Sequence, residues 1–308
     1  MATPTHSNLE LVAVELVIDE AVLASGAAYR QHIEDAARPL VTTRGPEAAR
    51  VLVFPELAGH LALYALAGPA SHRAKTVVGA LTAAALRKPL EVLRGVTQMR
   101  RLDGRHAVLS ALAPEGEAWW KSVFAPLART HEAYVVAGSH LRLGLDGELT
   151  NTSLLFGPDG ELLAVTDKVN LDPGVEDAAR GGLGLARGKP DGLTVTATPF
   201  GTLATLIGYD AAIEPRSPNE RFISMPEQLA ARGGVTVLAN PALLLPEGLE
   251  MTLEAEACAR FGITARLAGA VLDLCFEGGC EILERVEGGV RVLARGGPGR
   301  VLVRDTDQ

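Results

Sequence analysis

Thiols, aromatic rings and long apolar runs are all scarce in this chain. Its 308 residues contain three cysteines, Cys258, Cys275 and Cys280. None forms a Cys-X-X-Cys pair and none stands at zinc-ligand spacing from a histidine, so neither a disulfide scaffold nor a structural zinc site is indicated. The odd number points to reduced thiols in a cytoplasmic protein, and no metal or cofactor is called for. Aromatic residues make up 4% of the chain, so the core has to be built from Val, Leu, Ile and Ala, which the 47% apolar content allows. The N-terminus, MATPTHSNLE, has no apolar signal core. The longest uncharged run, between Glu56 and Arg73, is interrupted by glycine and proline. It falls short of the roughly 20 apolar residues of a membrane span. A net charge of −8 argues against a general nucleic-acid binder.

What is present is a series of short β-branched runs separated by amphipathic stretches. Strands are expected near 11–17, 51–54, 134–139, 152–156, 162–165, 203–207, 235–239, 268–274, 281–285, 290–294 and 301–303. Helices are expected near 21–40, 117–128, 226–232 and 249–266, the last placing Cys258 in mid-helix. The turn Gly157-Pro158-Asp159-Gly160 marks a hairpin. Apolar strands with helices between them predict sheets covered on both sides, and the hairpins make those sheets mixed. No repeat, low-complexity tract or linker interrupts the chain, so one domain over 1–308 is expected. Within it, residues 61–110 read as a helical basic insert. Eight Lys and Arg stand there against Glu91 and Asp103, a local +6 in a chain of −8.

Three strand ends carry unusual polar residues. Glu56 follows Val-Phe-Pro. Lys168 lies in Thr166-Asp167-Lys168-Val169-Asn170-Leu171. A third strand ends in Leu206-Ile207-Gly208-Tyr209-Asp210. Strand ends are where active sites of α/β proteins form. A carboxylate beside an ammonium suits general-base work with oxyanion stabilisation, and a nucleophile is expected nearby. Each residue alone also has a bland reading. Glu56 would cap a helix, Lys168 would be a surface lysine, and Tyr209 would pack. Asp210 reads better as a turn-holder bonding backbone N–H groups than as a catalyst. His60 reads better as a surface or satisfied core histidine than as a pocket wall.

Together these motifs resemble the nitrilase superfamily of carbon–nitrogen hydrolases along almost the whole chain. VLVFPE, Val51 to Glu56, is similar to the family's glutamate motif. NTSLLFGPDGELLAVTDKVNL, Asn151 to Leu171, is similar to its lysine motif. LATLIGYDAAIEP, Leu203 to Pro215, followed by LAARGGVTVLANP, is similar to its nucleophile motif. The tail GGCEILERVEGGVRVLARGG resembles its closing hairpin. The resemblance implies an α/β fold, a four-layer αββα sandwich of two mixed sheets, and assembly as a homodimer. It puts Glu56 at the general-base position and Lys168 at the oxyanion-stabilising position. Glu176, with Pro173 before it, falls where some branches carry a second active-site glutamate. Asn170-Leu171 departs from the more usual His-Leu there. The membrane helices of the related N-acyltransferase branch are not seen.

The resemblance also puts Gly208 where the family has its cysteine nucleophile, and none of the three real cysteines fits that motif. Family chemistry needs a thiolate, which glycine lacks. Three functions stay open. One is a catalytically silent protein that binds a small amide- or carboxylate-like ligand. Another is a cysteine-independent hydrolase in which Glu56 activates a water in the space left by the missing side chain. The third is a structural or interaction protein. The basic insert is either a solvated face or a cover over the pocket mouth that attracts an anionic ligand or partner.

Overall fold

Alternation along two neighbouring strands sets the layering. The structure is a computed structural model that describes residues 8–41, 48–68, 71, 73–90, 92–93, 104–180, 182–243 and 249–304. In chain order the strands begin with β1 (Asn8–Ala13), β2 (Leu16–Ile18), β3 (Ala48–Val53), β4 (Tyr134–Val136), β5 (His140–Leu143), β6 (Leu149–Phe156) and β7 (Leu162–Asp167). They continue with β8 (Val195–Thr198), β9 (Gly201–Thr205), β10 (Val235–Pro241), β11 (Ala259–Ala265) and β12 (Leu267–Val271). The last are β13 (Leu274–Glu277), β14 (Cys280–Val286), β15 (Gly289–Gly296) and β16 (Gly299–Arg304). The helices are α1 (Gly26–Ala37), α2 (Ala58–Ala67), α3 (Val77–Arg87), α4 (Gly104–His131), α5 (Met225–Ala230) and α6 (Leu249–Ala255).

One sheet has the order β16-β1-β3-β4-β6-β5, with β7 also on β6. The other runs β15-β14-β11-β10-β9-β8, and β13-β12-β2 form a small third sheet. In β1 and β3, Leu9, Leu11, Val51 and Val53 point at the second sheet and pack on Val237, Phe261 and Ile263. Val12 and Leu52 point the other way, onto Tyr29 and Ile33 of α1 and Trp120 and Phe124 of α4. Beyond the second sheet, Leu238 and Leu283 meet Met225, Leu229, Leu249 and Leu253 of α5 and α6. The layers are therefore helix, sheet, sheet, helix, the αββα sandwich expected from the sequence.

The expected helix over 249–266 is wrong in its second half. It ends at Ala255, Cys258 lies in a turn, and β11 follows, parallel to β10 and antiparallel to β14. The apolar spacing of this stretch fits a helix. However, Phe261, Ile263 and Ala265 alternate into the inter-sheet core, and burial between two neighbouring strands outweighs local propensity. The helix expected over 117–128 is much longer, Gly104–His131, despite Pro114 and Pro126 inside it. Pro126 has no N–H for the carbonyl of Ser122, four residues back. Arg30 Nη1 donates to that oxygen instead, at 3.1 Å. The 61–110 stretch is helical in α2, α3 and the start of α4. Glu91, Arg94, Arg100, Arg101 and Asp103 lie outside the described residues.

Candidate functional site

Three chain segments meet where β3, β7 and β9 end. Beyond β3, the backbone carrying Glu56 is tied to the turn after β4. Leu57 N donates to Ser139 Oγ at 3.0 Å and Gly59 N to Ser139 O at 2.9 Å. A Cβ on Gly59 would stand 2.3 Å from His140 Cβ, so only glycine allows this approach. Beyond β7, Lys168 N donates to Asn151 O at 2.9 Å and extends the β6–β7 pairing. Beyond β9, Gly208 opens a short turn, Gly208–Ala211, with φ +48. Asn240 of β10 holds that turn by donating to Leu206 O at 2.7 Å.

The side chains converge on one ammonium. Lys168 is fully buried, and its Nζ lies 2.7 Å from Glu56 Oε1, 2.5 Å from Asp172 Oδ2 and 2.7 Å from Glu176 Oε2. It donates to Glu56 and Asp172, and Glu176 completes the ring of three carboxyl groups as an ion pair. Asn151 Nδ2 bridges two of these, donating to Glu56 Oε1 at 3.0 Å and Glu176 Oε1 at 2.6 Å. Asp172 also accepts from Arg216 Nη1 at 2.8 Å, and the Arg216 guanidinium lies 4.3 Å above the Tyr209 ring. A Cβ built on Gly208 would lie 2.2 Å from Glu56 Oε2. The Glu56 carboxyl group therefore occupies the space that a side chain at 208 would need.

Burial sets the protonation. It pushes the Glu56 carboxyl up to about 8 against the pull of Lys168, with Glu176 and Asp172 pushing the same way as burial. For Lys168, burial works downward but is outweighed by Asp172, Glu176 and Glu56, so its pKa rises. For Asp172, burial works upward but is outweighed by Lys168 and Arg216, and its carboxyl stays low. Burial thus biases Glu56 toward its protonated form. Its Oε1 already accepts from Lys168 and Asn151, so a proton on this group belongs on Oε2. That oxygen is buried, faces Gly208 and has no hydrogen-bond partner among the described residues.

No family profile matches the sequence, and no curated protein matches it. Solved structures do match. A cysteine-to-alanine mutant of the amidase from Nesterenkonia sp. AN1 in complex with butyramide superposes with a TM-score of 0.60 at 19% identity, covering 98% of this chain and 91% of that one. A cysteine-to-serine mutant of the Nesterenkonia AN1 amidase "from the nitrilase superfamily" gives a TM-score of 0.57 at 18% identity, over 98% and 92%. The fold is that of nitrilase-superfamily amidases.

Within this nitrilase-type fold, Glu56, Lys168, Glu176 and Gly208, all singled out in the sequence, are brought together. Asp210 does not hold its own turn. It reaches across to accept from Val169 N at 2.9 Å and Asn170 N at 2.6 Å, clamping the segment that follows Lys168. Burial pushes its carboxyl up to about 7 against those N–H bonds. His60 is buried one turn after Glu56, where burial, His140 and Lys168 push its pKa down to about 3 and keep it neutral. Sequence reading missed Asp172, Asn151 and Arg216. Asp172, four residues from both Lys168 and Glu176, had a spacing signal; the other two had none. Glu56, Asp172 and Glu176 offer oxygens within 4.8 Å of one another, a grouping that suits a cation. The Lys168 ammonium, paired with all three, takes that place.

Proposed function

We propose that this protein is a nitrilase-superfamily relative without thiol chemistry, which binds a small uncharged amide rather than hydrolysing it. Glu56 and Lys168 stand at the base and oxyanion positions, Glu176 beside them, and Gly208 at the nucleophile position. The observation that carries the reading is Glu56 Oε2, 2.2 Å from where a Cβ on Gly208 would be. Attack on an amide carbon in this superfamily needs a thiolate. The free thiols lie elsewhere. Cys258 and Cys280 are buried, with burial pushing them up to about 11 and about 12, and Cys275 sits on β13.

Charge favours an amide over a carboxylate. Asp172 and Glu176 already face Lys168, and a ligand carboxylate would add another anion to a desolvated site. A neutral amide adds no such charge, and its carbonyl can accept from Glu56 Oε2 once that carboxyl group turns from Gly208. A Glu56-activated water needs the same turn, because Glu56 itself fills the space beside Gly208, so turnover separates the two readings. Three free thiols suit a reducing, cytoplasmic setting, and the proposal includes a homodimer, which light scattering tests.

The functional test uses aliphatic amides and nitriles, with butyramide as the lead because an amidase of this fold is seen holding it. The expected result is no product from acid to alkaline pH, with butyramide raising the melting temperature of the wild type but not of Glu56→Ala. Turnover that disappears in Glu56→Gln would overturn the proposal.

A further inference from the structure

Helix α3 is apolar on both of its faces. Its inner positions Leu81 and Ala84 pack on Leu63 and Ala67 of α2 and Leu109 and Leu112 of α4. A helix at the surface ordinarily shows a polar face to water. Here Val78 is 61% exposed and Leu86 79% exposed, and beyond the helix Leu90 and Leu93 are 66% and 59% exposed. Four-residue spacing puts Val78, Thr82 and Leu86 on one face. The Thr82 hydroxyl is turned back onto the helix, donating to Val78 O at 2.8 Å. Arg87 is the single charged residue within α3.

The surrounding charge is mostly positive. From Leu57 to Leu93 the sequence contains Arg73, Lys75, Arg87 and Lys88 against Glu91, in a chain whose net charge is −8, and Asp273 accepts from Val77 N at the start of α3. Arg73 and Lys75 are exposed in the turn just before α3. Arg87 donates to Ala67 O, and Lys88 pairs with Glu115.

We propose that the outer face of α3, with Leu90 and Leu93, docks on an anionic phospholipid surface. Leucines immersed beside cations that meet lipid headgroups are the pattern of a helix lying in the interface. The 11 residues of α3 reach about 16 Å, half of a bilayer's hydrocarbon thickness, so the helix lies on the surface and does not cross it. None of the described helices is long and apolar enough to cross a membrane. A second copy fits less well, because a symmetric interface would set the Arg73–Lys75 patch against itself. Nucleic acid gives no role to the exposed leucines, since phosphates are met by polar and cationic groups.

The test is co-sedimentation of the full chain with vesicles of phosphatidylcholine, alone or with about one-third phosphatidylserine. Binding to the anionic vesicles should exceed binding to the neutral ones by about ten-fold or more and fall as salt is raised. Leu86→Glu with Leu90→Glu, and separately Arg73→Glu with Lys75→Glu, should each lower that binding by about ten-fold while leaving the circular dichroism spectrum unchanged. Absence of binding to anionic vesicles, equal binding to both kinds, or wild-type binding by either variant overturns the proposal. So does a concentration-dependent dimer that Leu86→Glu dissolves, which would give this face to a second copy.

Discussion

A methyl group on residue 208 would fall 2.2 Å from Glu56 Oε2 and 2.9 Å from Glu56 Cδ, on a backbone at φ +48. Two costs follow for Gly208→Ala. The left-handed backbone alone costs about 1–2 kcal/mol for a residue with a Cβ. The Glu56 carboxyl group must also leave the position in which Lys168 and Asn151 hold it. The substitution is therefore expected to cost more than the backbone term in the wild type, and clearly less when Glu56 is already alanine. A double-mutant cycle by urea denaturation should show a coupling of about 1 kcal/mol or more. Additive losses would mean that Glu56 does not compete for that space. Glu56, Lys168, Glu176 and Gly208 were legible in the sequence because each sits in a segment closing a strand or following one. Asn151 was not, because it is 95 residues from Glu56 and only the fold joins them. The same holds for Arg216, 44 residues from the Asp172 that it pairs with.

Among the elements, a side chain of the Gly208 turn bonds the segment after Lys168. Asp210 accepts two backbone N–H groups across about 40 residues of chain. Asp210→Ala would leave both N–H groups buried without that acceptor, at about 1–3 kcal/mol each. Regaining solvation for a carboxyl that burial has pushed up to about 7 offsets part of this. The net expectation is a loss of about 2 kcal/mol in urea denaturation. Butyramide protection should be lost as well, because Lys168 is released from its register. Unchanged stability would show that the segment holds itself. Sequence reading assigned Asp210 to backbone bonding but not to the right backbone, since turn chemistry is local and this contact is not. The strand β11 was hidden for a related reason. Its apolar residues fit helical and strand spacing alike, and pairing with β10 and β14 decided between them.

At the scale of the molecule, the two ends of the chain are joined beside one buried carboxylate. Strand β16 pairs antiparallel with β1, and β1 pairs parallel with β3, with Glu10 opposite Arg50. Glu10 is 1% exposed and forms ion pairs with Arg50 of β3 and Arg300 of β16. Arg50 is also buried and donates to His131 O, the last carbonyl of α4, at 2.9 Å. One carboxylate thus connects the N-terminal strand, its neighbour and the C-terminal strand. A buried ion pair adds little over a well-packed apolar pair, but removing one partner leaves a desolvated charge. Glu10→Ala is therefore expected to cost about 3–5 kcal/mol. Replacing both members, Glu10→Leu with Arg50→Met, should cost less than half as much, because Arg300 is one-third exposed and can turn to solvent. Urea denaturation midpoints compare the two. If the double variant were as unstable as Glu10→Ala, the carboxylate would matter for the hydrogen bonds it organises across the three strands, and the buried charge of Arg50 would not be the cause of the loss.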